Sequence, residues 1–133
     1  MTNKQQTTYA PKDENNPWRV DTWMNTAEWK EISRWYPFSL RSLMPDGRWS
    51  EWARCKMRDD AYQIMKALAA ARPRGYFVIV QCTLVGNDGR EKAVVFSGGS
   101  EQTIMHERAR RIAQGWDTPA AIEQARQDWS NDE

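Results

Sequence analysis

The chain is poor in the residues that most catalytic and membrane proteins depend on. Its 133 residues include one histidine and two cysteines, and no apolar run approaches the ~18 or more residues of a membrane span. Residues 1–16 are polar and lack the apolar core of a signal peptide. Cys55 and Cys82 stand far apart with no Cys-x-x-Cys, a usage that fits a reducing compartment and two inert core thiols. A cytosolic location is therefore expected. His106 falls on the flank of a helical stripe, and no Ser or Cys has a base in a recognisable context, which leaves no nucleophilic constellation. A metal would have to recruit Cys55, Cys82 and His106 from three separate elements, so neither metal nor cofactor is expected. Ser97-Gly98-Gly99-Ser100 lacks the lysine of a phosphate loop and runs into Glu101; it reads as a connection that caps a helix.

Tryptophan and arginine, by contrast, are abundant. Eight tryptophans occur, and Trp18, Trp23, Trp29, Trp35, Trp49 and Trp52 crowd into one stretch interleaved with arginine. A small core seldom needs so many indoles, and Trp with Arg is the pairing enriched where proteins grip other molecules. Trp18, Arg19, Arg34, Trp35, Tyr36, Arg48, Trp49 and Trp52 are accordingly the expected partner-binding residues. The competing expectation is that these rings simply roof a sheet.

Net charge is only +1, but it is unevenly spread. Residues 40–74 hold eight Arg and Lys against four Asp and Glu, whereas residues 101–133 hold four against seven. The split argues against a clamp that wraps nucleic acid over a whole face. It leaves a local alternative on the basic middle, Arg54, Lys56 and Arg58, or on Arg108, Arg110 and Arg111 near the C-terminus. There, residues 108–119 resemble the helix, glycine turn and helix of DNA-reading modules, although the second helix, 119–129, carries Glu123 and Asp128 beside Arg126.

Periodicity divides the chain into a flexible tail (1–17), one α+β domain (18–129) and an acidic end (130–133). Asn25 with Glu28 predicts a helix start, with Trp29, Ile32 and Tyr36 on one face and Pro37 as the stop. Residues 38–47 read as irregular. Ala53, Cys55 and Met57 alternate with Arg54, Lys56 and Arg58, which predicts a half-buried strand over 52–58; one long helix over 49–71 is the rival. A helix capped by Asp59 follows, its buried stripe being Ala61, Ile64, Met65 and Leu68. Tyr76–Val85, a turn at 86–89 and Ala93–Phe96 form a hairpin in which Val78, Val80, Cys82 and Leu84 line one face. The Trp-rich segment is the expected cover of the opposite, half-apolar face. Ser100 caps a helix with a stripe of Met105, Ala109, Ile112, Ala113 and Trp116, and residues 118–129 complete an αα-hairpin.

The expected architecture is thus a mainly antiparallel three-stranded sheet in the order α-β-α-β-β-α-α. The expected function is that of a small non-catalytic cytosolic binding protein, an adaptor or inhibitor of the kind that phages and mobile elements carry as accessory proteins. Its partner would be a protein, with nucleic acid as the alternative.

Overall fold

The computed structural model describes residues 16–20, 26–114 and 123. They build an α+β domain in the order α1 (Ala27–Trp35), β1 (Phe38–Leu43), β2 (Trp49–Cys55), α2 (Arg58–Ala71), β3 (Phe77–Val85), β4 (Asp88–Ser97) and α3 (Glu101–Ala113). The sheet has four strands rather than three. Its order is β2-β1-β3-β4, and every neighbouring pair is antiparallel. The second helix expected near the C-terminus, and Trp23, Trp116 and Trp129, lie outside the described residues.

The missed strand is β1, read from sequence as irregular, and it is a central one. Its inward positions on one face are Ser39, Arg41 and Leu43, and the whole stretch from Ser39 to Leu43 is buried. A buried arginine breaks the apolar alternation by which strands are recognised, so the segment looked unstructured. The strand expected over 52–58 is instead Trp49–Cys55. Leu40 pairs with Ala53 and Arg41 with Glu51, leaving Trp52 as an extra, bulged residue. A second bulge at Val94 on β4 lies beside the same level of the sheet, because Ile79 pairs with Val95 and Val80 with Ala93. Each bulge shifts the alternation of its strand by one residue. Glu51 and Arg54, three apart, therefore share a face, as do Ala93 and Phe96. Met57, expected in the alternating strand, is exposed.

The hairpin forms as its sequence indicates, but β4 starts at Asp88, so the turn is only Gly86-Asn87, with Gly86 at φ +66°. Val78, Val80 and Cys82 line one face, packed with Trp18, Trp29, Leu43, Trp49 and Ile104. The Trp segment therefore covers the fully apolar face, and not the half-apolar one. The other face, with Leu40, Phe77 and Ile79, takes Ala61 and Met65 of α2. Ile64, expected in that buried stripe, is exposed, and α2 starts without a side-chain cap, with Met57 at the N-cap position two residues before the expected Asp59. α1 is capped by Thr26, whose hydroxyl accepts from the Trp29 amide at 3.1 Å, and stops before Pro37.

On α3 the buried residues are Ile104 and Arg108, not Met105 and Ala109. The stripe is rotated by about one residue because Arg108 is buried against the β1–β2 turn, donating from Nε to the Gly47 carbonyl at 3.1 Å. Arg111 adds bonds to the Leu43 and Met44 carbonyls and lies over the Tyr76 ring. The connection into α3 is tight. Gly98 has φ +95°, and a Cβ there would stand 2.4 Å from the Gly75 carbonyl oxygen. Gly98→Ala is therefore expected to destabilise the fold by about 1–3 kcal/mol, measured as a lower urea midpoint with unchanged slope.

Candidate functional site

Two groups of residues stand out, one buried and one exposed. The buried group is centred on Arg41 of β1 and Glu91 of β4, whose side chains are 0% and 1% exposed. Their pairing is bidentate: Nη1 donates to Oε1 at 2.9 Å and Nη2 to Oε2 at 2.7 Å. Glu91 also accepts from Asn16 Nδ2 at 2.7 Å and from the Trp29 indole at 2.8 Å, while Arg41 donates to the Trp18 carbonyl at 2.6 Å. Arg41 Nε reaches Ser39, whose hydroxyl bonds Glu51; Glu51 holds Arg54, and Arg54 ties β2 to Ser33 and the Tyr36 carbonyl of α1. One polar chain thus fastens the N-terminal segment and both ends of α1 to the sheet. Asn16, placed by sequence in the flexible tail, is buried within it.

The chemistry available here is that of a clasp. Burial opposes the Glu91 charge, but the hydrogen bonds and charge of Arg41, with the donors of Asn16 and Trp29, outweigh it and hold the carboxyl below its usual range. For Arg41, too, burial disfavours the cation and Glu91 more than restores it. A carboxylate supplied with four donors has no free basicity to offer a substrate. Burial pushes the adjacent Cys82 thiol up to about 11, against the weaker pull of Arg41, so at neutral pH it is no nucleophile. Because Cys55 is also buried and raised by burial, both thiols are expected to resist a maleimide at pH 7.5 until denaturant unfolds the chain. Rapid labelling of the native protein would contradict this packing.

The depressed Glu91 carboxyl carries a pH consequence. A folded pKa below the unfolded value stabilises the fold above the unfolded carboxyl pKa of about 4.3. That stability is lost as pH falls from there through the folded value. The urea midpoint is expected to drop on acidification below about pH 4.5, and to drop less in a Glu91→Gln variant, which starts lower.

The exposed residues lie in two places, at the C-terminal end of α1 and on edge strand β2. Trp35 is 62%, Tyr36 50% and Trp52 41% exposed. Trp35 is held by its indole N–H bond to Glu31 at 3.0 Å, and Glu31 also pairs with the exposed Arg34 at 3.2 Å. Trp52, the bulged residue, carries the Arg72 guanidinium over its ring at 4.8 Å. Arg54, two residues along β2, joins that strand to the Tyr36 end of α1.

Of the eight expected partner-binding residues, then, Arg34, Trp35, Tyr36 and Trp52 are presented at the surface. Trp18 and Trp49 are corrections: both are core, packed edge-to-face at 5.3 Å, with Trp18 also meeting Phe96 at 5.4 Å. Trp18 is held inward because its ring bridges side chains of the two edge strands. Arg19 is half-buried, and Arg48 folds back on Asp46.

The residues of the nucleic-acid alternative fall from β2 to the start of α2, and on α3. Arg54 is engaged by Glu51, Arg108 is buried, and Arg110 and Arg111 both pair with Glu107, whose carboxyl Arg110 holds below the usual range. Lys56 and Arg58 are exposed. Among the described residues no cluster of His, Cys, Asp or Glu could hold a metal, and no helix is long and apolar enough to cross a membrane.

Sequence reasoning missed the Arg41–Glu91 clasp altogether. The one available signal was Glu91 at an inward position of β4, two residues from Ala93 and opposite Cys82, where an apolar residue belongs. No family model, curated protein or solved structure matches the chain.

Proposed function

We propose that this chain is a small non-catalytic cytosolic binding protein that occupies a protein partner through Arg34, Trp35, Tyr36 and Trp52. The observation that carries the reading is the exposed Trp35 ring, fixed in place by Glu31. Among the described residues three indoles are sealed in the core and Trp35 is the most exposed of the other two, in a residue type that is on average well buried. Fixing it beforehand lowers the entropy lost when a partner covers it. Large rigid aromatics flanked by arginine are the residues that dominate measured interfaces. The adaptor or inhibitor reading follows from the same feature, since blocking or bridging needs affinity and no reacting group.

The test is capture of a partner by the immobilised chain, followed by elution across a salt series. A Trp-centred protein contact is expected to survive a rise from 50 to 200 mM salt nearly unchanged. Phosphate-driven binding would fall by orders of magnitude over that range and would favour nucleic acid as the ligand.

A further inference from the structure

Two buried donors at one junction have no acceptor. Arg108, 5% exposed, spends its Nε on the Gly47 carbonyl, and its Nη2 is buried without a hydrogen-bond partner. Trp49, two residues beyond Gly47 and 3% exposed, has a buried indole N–H that likewise bonds to nothing. Both belong to the seam where α3 presses on the β1–β2 turn. There a Cβ on Gly47 would stand 2.7 Å from Ile112 Cγ1, and Trp49 shares a cluster with Ile104, one helical turn before Arg108.

The neighbouring carboxylate is already used. Glu107 serves Arg110 and Arg111, and no carboxylate among the described residues meets Arg108. The contrast is with Arg41, also buried but matched by Glu91. Burial without a counter-charge lowers the Arg108 pKa, and an uncompensated buried cation is destabilising. Orphan donors of this kind point to a partner that completes them.

We propose that the seam between α3 and the β1–β2 turn is a carboxylate-binding site, with Arg108 and the Trp49 indole N–H as its donors. The free edge of one guanidinium with one indole N–H matches a planar, singly charged carboxylate. Phosphate, with more oxygens and more charge, would leave acceptors unsatisfied beside Ile104 and Ile112. The site is separate from the Trp35 surface and does not rest on it.

The probe is sodium acetate, titrated into the ¹⁵N-labelled full chain with sodium chloride and sodium phosphate at matched ionic strength as the other arms. The Trp49 indole resonance is identified by its loss in Trp49→Phe. A saturable shift confined to that indole is expected with acetate and absent in Arg108→Met, which is expected to fold because it removes an unpaired buried charge. Acetate should also raise the Tm of the wild-type chain and leave that of Arg108→Met unmoved. No saturable shift, an equal shift with chloride, a larger one with phosphate, or one that persists in Arg108→Met would each overturn the proposal. Should Arg108→Met fail to fold, the wild-type comparison of acetate against chloride and phosphate decides it alone.

Discussion

Replacing Glu91 by Gln is expected to destabilise the fold by about 3–5 kcal/mol, the cost of leaving a buried cation without its counter-charge. The substitution keeps volume and shape, so the loss reports charge rather than packing. Because stability of a domain this size is only on the order of 5–15 kcal/mol, such a loss is large enough to place the chain near its unfolding threshold. The four donors that converge on Glu91 come from Arg41, Asn16 and Trp29. Loosening them should release the segment around Asn16 and Trp18 together with α1, rather than fray one element.

Adding Arg41→Met to Glu91→Gln is expected to return part of that loss, since the unpaired charge goes with it. The double-mutant cycle would then show strong coupling. If the two losses simply added, the pair would not be the unit described here. Urea denaturation of the four proteins gives the answer, with the slope reporting whether unfolding stays cooperative.

The second large effect separates two tryptophans that sequence placed side by side as contact residues. Trp49→Ala is expected to cost about 3–5 kcal/mol of stability, because it empties a site packed by Trp18 and Leu43. Trp35→Ala is expected to change stability by about 0.5 kcal/mol or less, as befits a ring in solvent. It should instead weaken partner binding by about 2 kcal/mol or more, roughly 30-fold in Kd. Loss of binding with an intact fold is the signature of a contact residue. Loss of both together would return Trp35 to the structural group.

Strict alternation made the β3–β4 hairpin readable, since Val78, Val80 and Cys82 follow the pleat without interruption. Pro37 and Pro73 marked the ends of α1 and α2. What escaped was tied largely to charge in buried places. Arg41 hid a central strand, and Arg108 rotated the apparent stripe of α3 by about one position. The bulge at Trp52 moved the β2 pattern, because an extra residue exchanges the faces of everything beyond it. Burial of Trp18 could not be read from its neighbours, since its ring is enclosed by Trp49 and Phe96, both distant in sequence.

The surface reading depends on which indoles water can reach, and a neutral quencher measures that directly. Acrylamide quenching of the native chain, compared with Trp35→Phe, Trp52→Phe and Trp49→Phe, resolves the contribution of each ring. The readily quenched fraction is expected to fall in Trp35→Phe and Trp52→Phe and to be unchanged in Trp49→Phe. Quenching that is untouched by removal of Trp35, or that falls chiefly with Trp49, would contradict the account, because the ring assigned to the partner would then be sealed inside.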